Sequence, residues 1–194
     1  HDKAVTDWLS AQCDTRVIWG GDRSVAEIQE SPSPGNDIVF PNRRSMAVIS
    51  ARAVLEDAYT ENTVRNFYND TYLTDQNACS SPGIICWIGN EDDIILAKDR
   101  FWNALETYLD GRYEIFADMA VLKLEQAMVM SAEGYAERIL SAADNAQAPD
   151  NRIIRVQAAK ILPALWNYTM PCGFFIERSA EKVSEIQPLL VPVC

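Results

Sequence analysis

Residues 84–88, I-I-C-W-I, are followed directly by G-N-E-D-D and then by a long stretch with apolar residues at helical spacing. An apolar run of that length without a polar break reads as a strand buried on both faces. Asn90 reads as the N-cap of the next helix, and Glu91, Asp92 and Asp93 set negative charge against its positive end. Ile94, Phe101, Leu105 and Tyr108 make the inward stripe, and Gly111 supplies the stop. A buried strand delivering a long helix is the repeating unit of an α/β domain.

The rest of the chain continues in the same pattern. Residues 4–12 read as a helix, 16–19 as a short strand, Gly20-Gly21 as a tight turn, and 25–30 as a helix capped by Ser24 with Glu27 completing a capping box. S-P-S-P-G-N at 31–36 is a loop and the best domain boundary, dividing 1–36 from 37–194. Runs 38–40 and 46–49 read as strands separated by Pro41 and the solvated bend Asn42-Arg43-Arg44. A helix opening at Glu56 and Asp57 runs to Tyr68, with Val64, Phe67 and Tyr68 inward. Residues 114–146 read as a second helical region broken near 131–134, with Met119, Leu122, Leu124, Met128 and Met130 in the core. Residues 152–156 alternate apolar and basic like a half-exposed strand, 173–176 form another strand, and 180–185 form a helical turn. The predicted fold is α/β, with three layers and a mostly parallel sheet flanked by helices.

Charge and cysteine usage narrow the chemistry. Lys and Arg number 17 against 28 Asp and Glu, a formal charge of −11, which argues against nucleic acid and against an anionic membrane surface. No apolar run reaches the length of a membrane span and no signal peptide is visible, so a soluble cytoplasmic protein is expected. Cys13, Cys79, Cys86, Cys172 and Cys194 form no C-x-x-C pair, and the one histidine, His1, reads as the remnant of a tag or cleavage site. A Cys/His zinc site is therefore not expected, and the odd, scattered count suits reduced thiols. There is no G-x-x-x-x-G-K-[ST] or G-x-G-x-x-G, and no histidine to serve a Cys-His or Ser-His pair. The absence of a first Met and the apolar end P-L-L-V-P-V-C suggest a piece of a longer protein.

Two places carry candidate chemistry. Cys79, in D-Q-N-A-C-S-S-P, stands on a loop just ahead of the buried strand, which would fix it while the loop exposes it. Thiolate is the reactive form, and no cation adjoins Cys79 in sequence to favour it. From the residues alone, Cys79 is either a nucleophile or an inert, half-buried thiol. Gly20-Gly21, between a strand and a helix start, is either a contact for a cofactor pyrophosphate or an ordinary βα turn; Asp22 brings a negative charge that counts against phosphate.

The segment F-Y-N-D-T-Y-L-T-D-Q-N-A-C-S-S-P resembles the nucleophile loop of the LuxC-type acyl-CoA reductases of the bioluminescence fatty-acid reductase complex, a branch of the aldehyde dehydrogenase superfamily. Gln76 and Cys79 match the superfamily pattern Q-x-x-C. R-V-I-W-G-G-D at 16–22 resembles the strand and turn that approach the cofactor, and I-V-F-P-N-R-R-S-M-A-V at 38–48 the strand preceding the nucleophile. The resemblance implies an aldehyde-dehydrogenase-like catalytic domain over 37–194, with the last strand and helix of a cofactor domain over 1–36. It implies an oxidoreductase in which Cys79 accepts an acyl group from fatty acyl-CoA or an acyl-transferring partner protein as a thioester. NADPH then delivers hydride and the aldehyde leaves. Gly20 and Gly21 would lie at the cofactor, the Cys79 backbone N–H would help hold the oxyanion, and the full-length protein would self-associate. Val39 stands where hydrolytic relatives carry a water-activating glutamate, and no E-x-F-G-P motif is visible in 189–194. Those departures leave a second reading, a non-catalytic α/β interaction module that keeps the fold.

Overall fold

The computed structural model describes residues 3–33, 35–40, 42–57, 60–141 and 151–190. His1, the later part of the segment read as helix at 114–146, and the end of the chain from 191 lie outside the described residues. The chain divides into two compact units, His1–Arg43 and Arg44–Cys194.

The first unit is α1 (Lys3–Ala11), β1 (Thr15–Trp19), α2 (Asp22–Gln29) and β2 (Asn36–Phe40), with β1 and β2 paired in parallel from Thr15↔Asn36 to Trp19↔Phe40. β2 pairs with β1 after the connection at 30–35, and this compact unit runs to Arg43. Arg16 ties the unit together from a buried position. Its guanidinium forms a fork onto Asp37, with Nε–Oδ1 at 2.7 Å and Nη2–Oδ2 at 2.6 Å, and Nη1 donates to Ser10 Oγ and to the carbonyls of Ile28 and Ser31. α2 starts at Asp22 with Gly21 as N-cap and no side-chain cap, so Ser24 is not the cap. Glu27 bonds instead to Arg23 at 2.8 Å, one turn back on the helix surface.

The second unit is built on a five-stranded sheet, β3 (Ser45–Ser50), β4 (Pro82–Ile88), β5 (Ala136–Leu140), β6 (Ile154–Ala158) and β7 (Phe174–Ala180), in the order β3-β4-β7-β6-β5. All neighbours are parallel except β5, which runs antiparallel to β6. Helices α3 (Ala51–Glu56), α4 (Thr60–Thr71) and α5 (Glu91–Leu109) pack on one face, around Ile85, Trp87, Ile153 and Phe175. α6 (Ala117–Ala132) and the 3-10 segments Pro163–Tyr168 and Val183–Leu190 cover the other, around Ile84, Cys86, Val156 and Ile176. The alternation along β4 sends successive side chains to opposite layers, which explains why its whole run is apolar. Each large side chain fully withdrawn from water there contributes about 1.5–3 kcal/mol.

The capping signals hold where they are local. Asn90 Oδ1 accepts from the Asp93 N–H at 2.8 Å and starts α5, and Gly111 follows its end at φ 67°. Ser50 caps α3 through the Ala53 N–H, so the helix expected from Glu56 begins earlier and is two helices, α3 and α4. α6 stops in a Schellman arrangement, with Tyr135 N–H on Met130 O at 2.8 Å and Gly134 N–H on Ser131 O at 3.1 Å, and Gly134 takes φ 78°. The chain then enters β5 rather than continuing as helix. Of the Met and Leu residues assigned to the core of α6, only Met130 is buried; Leu122, Leu124 and Met128 face outward, while Lys123 and Ala127 face in.

β6 is an interior strand and not half-exposed, because Arg155 is neutralised from inside. The fully buried Glu177 accepts Trp87 Nε1 and Trp102 Nε1 on Oε1, each at 2.8 Å, and Arg155 Nε and Nη2 on Oε2 at 3.1 and 3.0 Å. Lys98 Nζ stands 3.9 Å from the same oxygen, and the Arg155 guanidinium lies over the Trp102 ring at 5.0 Å. One carboxylate thus joins β4, α5, β6 and β7. Glu177→Ala should cost about 3–5 kcal/mol in a urea unfolding titration, because it leaves Arg155 buried without its carboxylate. A loss under about 1 kcal/mol would show that the cluster does not hold these elements together.

Candidate active site

The Cys79 loop lies at the amino edge of the parallel strands in the second unit, ahead of β4. α4 passes into a 3-10 turn, Tyr72–Thr74, and then into two consecutive left-handed residues, Asp75 at φ 48° and Gln76 at φ 59°. A left-handed conformation costs a residue with a Cβ about 1–2 kcal/mol, so the pair persists only if its surroundings hold it. They do. Asp75 Oδ1 accepts the Tyr113 hydroxyl at 3.0 Å, Asp75 O accepts the Cys172 N–H at 3.0 Å, and the Gln76 N–H returns to Thr71 O at 2.7 Å. Burial, with hydrogen bonds to Cys172 and Asp75, raises the Tyr113 pKa above its ordinary value, so this group remains a donor across the neutral range.

The Gln76 side chain is the central fastening. Its amide Nε2 donates to Pro82 O at 2.8 Å and Phe174 O at 3.1 Å, and its Oε1 accepts the N–H groups of Gly173 at 2.9 Å and Phe174 at 3.2 Å. It therefore clips the start of β4 to the start of β7, with the Cys79 loop strung between Gln76 and Pro82. The turn opposite is itself left-handed, with Cys172 at φ 61° and Gly173 at φ 78°. A Cβ on Gly173 would come within 2.0 Å of Arg152 O, so only glycine fits.

Inside that frame the loop is short and pinned. Ser81 N–H bonds Ala78 O at 2.9 Å, Ser81 Oγ donates to Asp70 O at 2.6 Å, and Ser45 Oγ, at the start of β3, donates to the Cys79 carbonyl at 2.7 Å. Cys79 is exposed to solvent. Among the other described cysteines Cys13 is half-buried and Cys86 and Cys172 are buried, and burial pushes the Cys86 thiol up to about 11. A cavity of about 670 Å³ lies toward the other end of the sheet, by the carboxyl ends of β4 and β7, lined by Gly89, Lys98, Arg155 and Ser179. None of its lining residues comes from the Cys79 loop.

Gly20 and Gly21 lie in the first unit. Gly21 caps α2 and has no heavy atom within 4 Å of where a Cβ would stand, whereas a Cβ on Gly20 would meet the Ser24 Cβ at 3.5 Å. Asp22 Oδ1 accepts the Asn42 N–H at 3.2 Å, which gives this carboxylate a partner within its own unit. Arg43 stacks over the Phe40 ring at 5.5 Å. Val39 lies in β2 and is half-buried. Among the described residues no group of three or more His, Cys, Asp or Glu side chains could hold a metal ion, and no helix is long and apolar enough to cross a membrane.

A family profile for acyl-CoA reductases, LuxC, matches residues 1–175. The chain belongs to the LuxC acyl-CoA reductase family. No curated protein matches the chain. Solved structures similar to this LuxC chain include aldehyde dehydrogenases. Betaine aldehyde dehydrogenase from Staphylococcus aureus matches with TM-score 0.57 and 15% identity over 93% of the chain and 38% of its own. A putative methylmalonate-semialdehyde dehydrogenase from Sinorhizobium meliloti, complexed with NAD, matches with TM-score 0.59 and 13% identity over 97% of the chain and 40% of its own. Gox0499 matches with TM-score 0.61 and 11% identity over 94% of the chain and 41% of its own. At these identities the likeness shows the aldehyde dehydrogenase fold, and this LuxC chain spans about two fifths of the length of the proteins it resembles.

Gln76 and Cys79 stand out in the sequence, whereas Tyr113 and Cys172-Gly173, which bond Asp75 and Gln76 from distant segments, and Lys123, which bonds Cys172 O, do not. Treating the native protein with iodoacetamide at pH 8 should alkylate Cys79 and spare Cys86 and Cys172 until the chain is unfolded. Peptide mass spectrometry reads this directly, and equal labelling of Cys79 and Cys86 in the native state would contradict the arrangement.

Proposed function

We propose that Cys79 is the nucleophile of a fatty acyl-CoA reductase that makes an aldehyde through a cysteine thioester. The observation that carries this reading is an exposed thiol on a loop whose two ends are clipped to the sheet by one side chain, in a member of the LuxC family. Cys79 Sγ, as thiolate, attacks the carbonyl of the acyl donor, and the coenzyme A thiolate departs and takes a proton. NADPH, when bound, supplies the hydride that reduces the resulting thioester. Cys79 then leaves as thiolate when the hemithioacetal oxygen reforms a carbonyl, which releases the aldehyde. The Cys79 backbone N–H supplies part of the oxyanion stabilisation. Gly20 and Gly21 contribute backbone at one edge of the cofactor pyrophosphate, with the open space at Gly21. Val39, aligned by resemblance with the glutamate of hydrolytic relatives, offers no base for water, which favours reduction over hydrolysis.

Incubating the protein with palmitoyl-CoA in the absence of cofactor should leave a palmitoyl adduct on Cys79, seen by mass spectrometry and absent from Cys79→Ser. A Cys79 that reacts with iodoacetamide yet never takes the acyl group would overturn the enzymatic reading and favour an interaction module.

A further inference from the structure

Lys123 is fully buried on the inner face of α6, beside Ala127 and Met130. Burying an ammonium is costly unless it is well paired, and a methionine of similar length would fill the same apolar space without that cost. Its Nζ donates to two backbone carbonyls, Cys172 O and Asn151 O, each at 2.5 Å. The peptide group joining Cys172 to Gly173 therefore has Lys123 on its carbonyl and Gln76 Oε1 on its N–H, at 2.9 Å. A cation on the carbonyl of a peptide polarises it and strengthens the N–H on the other side as a donor. That N–H is one of the bonds that orient the Gln76 side chain, and Gln76 holds the near end of the Cys79 loop. The same ammonium fastens the 151–152 segment, whose Arg152 carbonyl closes over Gly173 and accepts the Tyr72 hydroxyl at 3.2 Å.

We infer that Lys123 is a positioning residue for the Cys79 nucleophile, acting through the Cys172–Gly173 peptide and Gln76. The inference deepens the proposed acylation reading and rests on it for the reaction affected. Being sealed from solvent, Lys123 does not meet the acyl donor, so its effect falls on the rate of the bound step and not on donor binding.

The test is acylation of Cys79 by palmitoyl-CoA in the intact protein, for wild type, Lys123→Met, Lys123→Gln and Lys123→Arg, with the reaction amplitude reporting the folded fraction. The limiting rate constant should fall at least about tenfold in the Met and Gln variants, a scale set by the sensitivity of reacting geometry to small misplacement. The half-saturating palmitoyl-CoA concentration should stay within about twofold, and Lys123→Arg should recover most of the rate. Alkylation by iodoacetamide, which needs only an exposed thiol, should change little. A merely structural lysine would lower the amplitude and leave the rate constant of the folded fraction at the wild-type value, and that result overturns the inference. Failure of both charge-removing variants to fold overturns it too. If the wild type takes no acyl group, the functional reading fails separately. Hydrogen exchange then decides for Lys123: faster exchange at amides 76–81 in Lys123→Gln supports the inference, and unchanged exchange overturns it.

Discussion

The amide side chain of Gln76 is the constraint on which the candidate site depends. Its oxygen and nitrogen are both used on backbone groups at the starts of β4 and β7, in a buried residue. A buried amide satisfied in this way is stabilising, whereas the same group left half-satisfied would cost more than it returns. The two left-handed residues Asp75 and Gln76, and the left-handed pair Cys172 and Gly173 that faces them, are the backbone consequence. Strain of this kind survives only where its surroundings over-determine it, and it gathers at sites that must hold one geometry.

The sheet is chemically different at its middle and at its amino end. At the middle, Glu177 draws two indoles and an arginine into the core and ties together four elements. At the amino end, neutral amides, two serines and one buried lysine shape a loop that carries an exposed thiol. In open α/β sheets ligands commonly bind beyond the carboxyl ends of the strands, and the cavity lies there. The thiol does not. β4 and β7, which follow the two loops joined by Gln76, run on from there as a paired unit.

What could be read from the chain follows how local each signal is. The buried run before Asn90 and the cap itself involve adjacent residues, so β4 and α5 were legible. The break after α6 was legible as well, because Gly134 marks it. A-E-R-I-L at 136–140 consists mostly of good helix formers, and it becomes β5 only because β6 is there to pair with it. Arg155 reads as exposed until Glu177, from another strand, reaches it. The outward Leu and Met residues of α6 were misplaced because that helix is apolar on nearly every side, so periodicity does not say which face is inward. Cys79 and Gln76 were found through a resemblance of the surrounding run to known nucleophile loops. Their partners at 172–174 lie almost a hundred residues on, and no periodic or capping signal connects the two.

We propose that the fold presents the Cys79 thiol in a geometry suited to acyl transfer. The most direct measurement compares the second-order rate of acyl transfer from palmitoyl-CoA to Cys79 in the folded protein with the rate in urea and with that of free cysteine. Pre-positioning predicts a folded-state rate on the order of a hundredfold above both references. A folded-state rate equal to that of free cysteine would contradict the account, since the loop would then contribute exposure and nothing more.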